Sequence, residues 1–164
     1  YIARMENPWT LASERVLLTC PEHMWEQVDM PICEGPQVLK NNDKVFLIYS
    51  ASGSWTMDYC LGLLEFESGD PLDASNWQKH GCAFRPTDEV WGLGHCSFVK
   101  SPDGTEDWIV YHAKSKRKKG WNDRNVRAQK FGWSADGLPD FGTPIPAGYP
   151  MAIPSGQTPV QVGL

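Results

Sequence analysis

The 164-residue sequence has no long hydrophobic run and no C-x-x-C motif. No apolar stretch approaches the roughly 18 to 20 residues that cross a bilayer, so we expect no membrane partner. Five cysteines are present, at Cys20, Cys33, Cys60, Cys82 and Cys96, but none has the paired spacing of zinc ligands. These absences exclude a protein with a transmembrane helix and argue against a zinc-binding module.

Positive charge is also scarce. Fifteen Lys and Arg face 20 Asp and Glu, which gives a formal net charge of −5 at pH 7. We therefore expect no nucleic acid partner. The one basic cluster, at 114–119, predicts a solvated hairpin tip, and binding of the cluster to acidic pectin is the alternative.

Aromatic and turn-forming residues are abundant instead, with eight Trp, five Tyr, six Phe, 15 Gly and 13 Pro. Apolar residues do not recur at helical spacing, and short β-rich runs alternate with Gly and Pro. This pattern predicts an all-β fold of many short strands. The predicted strands are 2–5, 16–19, 37–39, 44–50, 58–66, 96–100, 107–113 and 126–133.

A unit of three strand segments recurs after about sixty residues. The two copies begin at Gly35 and Gly94, and each contains a strand that ends in Tyr-x-Ala. With a short outer strand near a Trp, each copy would form a four-stranded antiparallel sheet, which is the blade of a β-propeller. Two blades and the end of an earlier one fit this chain, and the alternative is a β-sandwich of about eight strands with a chance repeat.

A lone glutamate, Glu34, precedes Gly35-Pro36 at the start of a predicted innermost strand. Isolated charge in apolar surroundings is costly, so this carboxyl group must be solvated, paired or protonated. A protonated carboxyl that faces a pocket is what a general acid requires. The alternative role for Glu34 is turn capping.

His95 occupies a similar place in the second copy of the repeat. Equivalent places in neighbouring blades converge on the propeller axis, so Glu34 and His95 are expected to approach one cavity. A neutral imidazole there would bind a metal ion or water. The alternative is a histidine that is hydrogen-bonded within the channel wall.

Several motifs in order carry a family resemblance, and they span nearly the whole chain. They include Pro8-Trp9-Thr10-Leu11, Trp25-Glu26, Glu34-Gly35-Pro36, Tyr49-Ser50-Ala51, Tyr59 with Leu61-Gly62-Leu63-Leu64, Gly94-His95-x-Ser97-Phe98, Ser101-Pro102-Asp103-Gly104 and Tyr111-His112-Ala113. Together they resemble glycoside hydrolase family 43, and its α-L-arabinofuranosidase branch in particular. The resemblance implies a five-bladed β-propeller that hydrolyses arabinan or arabinoxylan side chains with inversion, of which this chain covers the last two to two and a half blades.

The resemblance also implies roles for individual residues. Glu34 matches the general acid, and Arg127 resembles an arginine that reaches the sugar hydroxyls. Ser52 and Trp55 return to the pocket end of their blade and are expected to bind substrate, with a plain hairpin turn and a packing Trp as the alternative. His95 matches a channel histidine, which implies a structural calcium ion or a water cluster, while the chemistry requires no cofactor.

Two aspartates of the family pattern have no match among the 33 residues before Glu34. One of them would be the base that an inverting glycosidase needs, so this polypeptide alone is expected to be inactive. Its expected partners are the N-terminal half of the propeller and a plant cell-wall polysaccharide or arabino-oligosaccharide. The alternatives are a non-catalytic carbohydrate-binding half-propeller and a β-xylosidase of the same family.

The expected organisation is a propeller part at 1–143 and a Pro-rich extended tail at 144–164 that packs on it. The chain opens at Tyr1 without an initiator Met, which indicates that an N-terminal part was removed or not included. The expected location is extracellular, where disulfides persist, and the repeat places Cys33 and Cys96 close enough to consider a disulfide between neighbouring blades. A set of buried free thiols is the alternative for the five cysteines.

Overall fold

Strands dominate the computed structural model, which describes residues 1–158. A two-stranded hairpin is followed by two four-stranded antiparallel sheets, and in each sheet the strands are adjacent in chain order. The hairpin comprises β1 (Met5–Asn7) and β2 (Thr10–Leu11). The first sheet comprises β3 (Cys33–Asn41), β4 (Lys44–Ala51), β5 (Cys60–Phe66) and β6 (Trp77–Phe84), and the second comprises β7 (Trp91–Lys100), β8 (Asp107–Lys114), β9 (Arg124–Trp133) and β10 (Pro139–Asp140).

This architecture confirms the all-β class and the four-stranded unit read from the repeat. The only helices in the described range are two single 3₁₀ turns, Met24–Glu26 and Ala74–Asn76, and neither is long and apolar enough to cross a membrane.

Several predicted strands differ from the observed ones. The predicted strand 2–5 shares only Met5 with β1, and the predicted strand 37–39 is only the middle of β3. The predicted run at 16–19 forms only a single bridge, between Val16 and Ile2. The outer strand of the first sheet, expected to be short, is the eight-residue β6. The sequence of β6 includes the polar residues Gln78, Lys79 and His80. The outer strand of a blade is half solvated, so it lacks the apolar run by which the other strands were predicted.

Apolar residues on alternating strand positions place the main core between the two sheets. Its buried members include Phe46, Ile48, Leu61 and Phe84 from the first sheet and Leu93, Ile109, Tyr111 and Phe131 from the second. A second cluster, on the opposite face of the first sheet, contains Tyr49, Ala51, Cys60 and Leu64 and is partly covered by Leu18 and Trp25. The sheets therefore pack face to face, as successive blades do.

The disulfide considered between Cys33 and Cys96 does not form. Cys33 packs against the second cluster, whereas Cys96 lies in the core between the sheets. All five cysteines are free thiols. The sequence repeat placed the two residues in neighbouring blades but could not show that their side chains belong to different layers.

The predicted tail is described up to residue 158, and its last six residues lie outside the described residues. Arg127 Nη1 donates a hydrogen bond to the backbone oxygen of Ile145 at 2.9 Å. Further along, the backbone N–H of Ser155 donates to Glu106 Oε2 at 3.0 Å. The described part of the tail thus lies against the second sheet and is fastened by side chains of that sheet and its loops.

A buried carboxylate, Glu26, fastens the segment before β3 to the first sheet. Its side chain has no exposed area, and its oxygens accept hydrogen bonds from the backbone N–H of His23 at 2.9 Å, the Tyr49 hydroxyl at 2.8 Å and the Lys79 ammonium at 3.1 Å. Burial alone would raise the pKa of Glu26, but the hydrogen bonds, including a second backbone one from Glu22, outweigh it and lower the pKa to about 2.

This pKa predicts how stability depends on pH. Because the folded-state pKa lies below the ordinary value of 4.5, the stabilisation from Glu26 is present above pH 4.5 and is lost as the pH falls toward 2. The lost stabilisation is on the order of 3 kcal/mol. We expect Glu26→Gln to destabilise the chain strongly at pH 7, since it removes the buried carboxylate that pairs with the Lys79 ammonium. The measurement is urea unfolding of both proteins from pH 7 to pH 2.

The difference in unfolding free energy between wild type and Glu26→Gln should shrink as the pH falls through this window. The exposed Glu14→Gln serves as the matched control and should track the wild type at every pH. A difference that stays constant from pH 7 to pH 2 would show that Glu26 does not titrate with the lowered pKa.

Candidate active site

Glu34 lies at the beginning of β3, where the strand is irregular. It pairs with Ser50 on β4, and the register shifts between Glu34 and Gln37. Gly35 supports this bulge with a φ of 55°, a conformation that favours glycine. The Glu34 side chain is half-buried, and its Oε1 accepts a hydrogen bond from the Tyr59 hydroxyl at 2.8 Å. The bulge therefore turns the carboxyl group toward the loop that precedes β5.

His95 lies in β7 at a second bulge, with a φ of 52°. Its backbone N–H donates to Ser50 Oγ at 2.7 Å, and its ring packs on Gly35, where an added Cβ would lie 3.0 Å from the ring. The structure thus brings Glu34 and His95 together across the two sheets.

The structural equivalence of the two repeat copies differs by one residue from the alignment of their sequences. In β7, Gly94 pairs with His112 just before the bulge, and in β3, Glu34 pairs with Ser50 at the same point. Gly35 is therefore equivalent to His95, and not to Gly94. Bulges add a residue to one strand, and the sequence copies do not show where each extra residue sits.

Tyr59 contacts both Glu34 and His95. Sequence reasoning assigned no role to Tyr59, although it lies in one of the matching motifs. Its hydroxyl oxygen is 2.8 Å from Glu34 Oε1 and 3.4 Å from His95 Nδ1. The side chain is fully buried. Burial and the hydrogen bond to Glu34 raise the pKa of Tyr59, so the hydroxyl stays protonated and donates. Gly94 makes room for the ring, since a Cβ there would collide with it.

His112 supports Tyr59 from the other side. The two rings stack with centroids 5.5 Å apart and an interplanar angle of 5°. Arg124 Nη1 lies 3.5 Å from His112 Nε2, while the buried Nδ1 has no hydrogen-bond partner within residues 1–158. Burial, and then the positive charges of Arg124 and Lys114, lower the pKa of His112 to about 4. A neutral imidazole therefore stacks on Tyr59 at neutral pH.

Glu34 also contributes to the wall of a groove. In the described part of the chain, Oε2 of Glu34 accepts no hydrogen bond from the protein, and the residue lines a cavity of about 490 Å³. Most of its other walls are apolar, among them Leu17, Leu18, Ile32 and Leu47. One carboxyl oxygen is therefore held by Tyr59, while the other has no hydrogen-bond partner among the described residues.

Ser52 does not face this groove. It is fully buried, its hydroxyl donates to the backbone oxygen of Trp25 at 2.9 Å, and the same oxygen accepts from the Val28 N–H at 2.9 Å. The hydroxyl is engaged with the backbone on both sides. The expectation of a direct sugar contact is therefore corrected: Ser52 holds the loop before β3 in place under the site.

Arg127 is also engaged within the chain. Besides the tail oxygen of Ile145, its guanidinium donates to Ser115 Oγ at 2.8 Å and to Asn125 Oδ1 at 3.1 Å. The arginine that reaches the Tyr59–His112 stack is Arg124, which the sequence did not single out. Residues three apart on a strand project from opposite faces, so Arg124 and Arg127 have different surroundings. Arg127 therefore anchors the tail in this structure.

Trp55 lies in the loop between β4 and β5 and packs edge to face on Trp121, with ring centroids 5.6 Å apart. Its backbone oxygen accepts a hydrogen bond from Lys114 Nζ at 2.9 Å. Lys114 was expected in a solvated hairpin tip, but it is fully buried, and it also donates to the backbone oxygens of Lys118 and Gly120. Burial lowers the pKa of Lys114, and three carbonyl groups replace its lost hydration.

No group of three or more His, Cys, Asp and Glu side chains within residues 1–158 is arranged to hold a metal ion. Near His95, the described residues offer one imidazole whose Nδ1 contacts Tyr59. Calcium prefers six to eight oxygen ligands. The described residues do not by themselves make a calcium site, and an ion there would need oxygens from outside them.

Four-stranded antiparallel sheets are the units of β-propellers, and glycosidases use carboxyl groups for their acid and base. The family model described as "Glycosyl hydrolases family 43" matches residues 1–139. The chain belongs to this family of glycosidases, as its motifs predicted.

Individual relatives agree with this assignment. The chain is 39% identical over 157 residues to an extracellular exo-α-(1→5)-L-arabinofuranosidase of Streptomyces avermitilis and covers 32% of that protein, with 90% of this chain matched. It is 35% identical to α-L-arabinofuranosidase 43 of Humicola insolens, again over 90% of this chain and 32% of the relative. The chain therefore spans about a third of these curated relatives.

The fold is similar to that of a solved α-L-arabinofuranosidase from Lactobacillus brevis, with a TM-score of 0.84 and 39% identity. The match covers 90% of this chain and 48% of the other chain. A thermostable family-43 glycoside hydrolase is similar with a TM-score of 0.76 and 29% identity, over 90% of this chain and 47% of that one. The chain thus spans about half of these β-propeller structures.

The environment of His112 predicts an unusual titration. Because burial and neighbouring positive charges disfavour the imidazolium, His112 should remain neutral from pH 8 to pH 5 and titrate near pH 4. Arg124→Gln removes one of those charges, so the pKa of His112 should rise. The measurement is an NMR titration of the imidazole signals in the wild type and in the variant.

Lys130→Gln is a suitable control, because it removes an exposed positive charge whose partner is Glu106. It should leave the His112 titration unchanged. A wild-type midpoint near 6.5 would mean that His112 is solvated and does not pack under Tyr59 as described.

Proposed function

We propose that this chain is the acid-bearing half of an inverting α-L-arabinofuranosidase whose catalytic domain is a five-bladed β-propeller. Its substrate would be the arabinofuranosyl linkages of plant cell-wall arabinan or arabinoxylan. The observation that carries the proposal is Glu34, with one oxygen held by Tyr59 and the other without a hydrogen-bond partner among the described residues. The similarity to proteins named as arabinofuranosidases supports the substrate class.

In this proposal, Glu34 donates a proton from Oε2 to the leaving glycosidic oxygen. Tyr59 donates a hydrogen bond to Oε1 and so fixes the orientation of the carboxyl plane. His95 and the stacked His112 fix Tyr59 in turn. The acid is thus pre-positioned by buried groups, which is how enzymes avoid reorganising at the moment of reaction.

The base would come from outside this chain. An inverting mechanism needs a second carboxylate about 6.5 to 9.5 Å from the acid, with a water between them. The two acids nearest before Glu34 are engaged elsewhere, since Glu26 is buried with Lys79 and Asp29 pairs with Lys119 at 2.7 Å. We therefore propose that the chain by itself does not hydrolyse glycosides.

The exposed faces of the two sheets support a partner half. The groove whose wall includes Glu34 lies over Leu47, Tyr49 and Leu64 on the outer face of the first sheet. On the far face of the second sheet, Val99 and Val126 are 52% and 79% exposed. Such apolar surface is suited to cover by further blades. Those blades would supply the base, and any calcium or water cluster at His95 would take its remaining ligands from them. We propose an extracellular location, as two relatives are named extracellular.

The test is a fused enzyme in which this chain replaces the matching half of the L. brevis arabinofuranosidase. We expect the fusion to hydrolyse arabino-oligosaccharides and the 164-residue chain to be inactive. Glu34→Gln should lower the rate on arabinobiose by about 10² to 10⁴, because a sugar leaving group needs protonation. The loss on 4-nitrophenyl arabinofuranoside should be smaller, because nitrophenolate leaves without it.

The exposed Glu67→Gln is the matched control and should leave both rates unchanged. Thermal unfolding establishes that each fusion is folded. A folded fusion without activity, or equal losses on the two substrates in Glu34→Gln, would contradict the proposed role of Glu34.

A further inference from the structure

Two tryptophans from different loops meet at the end of the sheets that carries Glu34. Trp55 belongs to the loop between β4 and β5, and Trp121 to the loop between β8 and β9. Their ring planes are inclined by 69° and their centroids are 5.6 Å apart. The faces of Trp55 and Trp121 therefore meet nearly at right angles, and we call this pair the corner. Trp121 is 59% exposed.

Both rings are held in orientation by polar contacts within the chain. The indole N–H of Trp55 donates to the Asp29 carboxylate, and that of Trp121 donates to Ser54 Oγ at 3.1 Å. The backbone N–H of Gly120 donates to the Trp55 oxygen at 2.7 Å, which ties the two loops together. Because the polar edges are already bonded, what each ring offers to a ligand is its apolar face.

The corner lies on the same loops that position the acid. Tyr59, which binds Glu34, is four residues after Trp55 in one loop. Asp29, which binds Trp55, is five residues before Glu34. A group bound in the corner would therefore lie next to the loops that hold the proton donor Glu34. The leaving group departs on the side of the proton donor.

The ion pair that bonds the Trp55 indole carries no net charge. The Lys119 ammonium is 2.7 Å from the Asp29 carboxylate, and both groups are partly exposed. The pair supplies hydrogen-bond donors and acceptors without net charge. Apolar ring faces beside a neutralised ion pair suit a sugar, which has apolar C–H faces and hydroxyl edges.

We propose that Trp55, Trp121 and the Asp29–Lys119 pair form a binding subsite for the leaving-group sugar of a neutral arabinan chain. This rests on the proposed function for the identity of the sugar. The sequence singled out Trp55, and the structure adds Trp121 and the ion pair. An acidic polysaccharide attracted by the basic residues 116–118 is the competing ligand, and the test distinguishes it.

The test is a binding experiment on the 164-residue chain, independent of hydrolysis. The chain contains eight tryptophans, whose indole N–H signals are separate probes in a two-dimensional ¹H–¹⁵N NMR spectrum. Titration with α-1,5-arabinotriose should shift the signals of Trp55 and Trp121 along one binding curve. Trp9, which is 82% exposed in the turn between β1 and β2, should not shift.

Trp121→Ala should weaken the binding by about tenfold, whereas Trp9→Ala should leave it unchanged. The proposal is overturned if Trp55 and Trp121 do not respond to arabinotriose, if Trp121→Ala binds as well as wild type, or if only polygalacturonate shifts these signals. Failure of the proposed function would appear separately, as a folded fusion enzyme that does not hydrolyse arabinosides.

Discussion

The hydrogen bond from Tyr59 to Glu34 is the interaction on which the site depends. It joins the start of β3 to the loop before β5, and the same hydroxyl contacts His95 of the next sheet. Tyr59 is held in place for this bond because it is fully buried and stacks on neutral His112. Gly94 has no side chain, which leaves space for the Tyr59 ring. A bulge in each inner strand then turns Glu34 and His95 toward it. The geometry of the carboxyl group thus follows from packing between two blades.

Buried polar groups hold the loops of the site in the same manner. Glu26 ties the segment before β3 to Tyr49 and Lys79, and Ser52 ties the following residues to the end of β4. Lys114 fastens the Trp55 loop to the hairpin between β8 and β9. Each group is satisfied by several partners, because an unsatisfied polar group in such a position would be costly. The sheets supply the rigid frame, and these groups fix the loops on which the chemistry depends.

The sequence predicted the features that repeat and missed those that arise from contact. Glu34 and His95 could be expected near each other because similar places in successive copies converge. The one-residue offset could not, since a bulge leaves no mark in the spacing. Lys114 was predicted to be solvated, because the sequence does not show that the distant Trp55 carbonyl binds its ammonium group. In the same way, nothing local indicates that Arg127 holds the tail while Arg124 faces His112.

The most direct test of this account is a double-mutant cycle of Glu34→Gln and Tyr59→Phe in the fused enzyme, measured as kcat/KM on arabinobiose. If Tyr59 acts by orienting the acid, Tyr59→Phe should lower kcat/KM by about tenfold when Glu34 is present and have almost no effect in the Glu34→Gln background. Equal losses in the two backgrounds would mean that Tyr59 acts independently of Glu34, and would contradict the account.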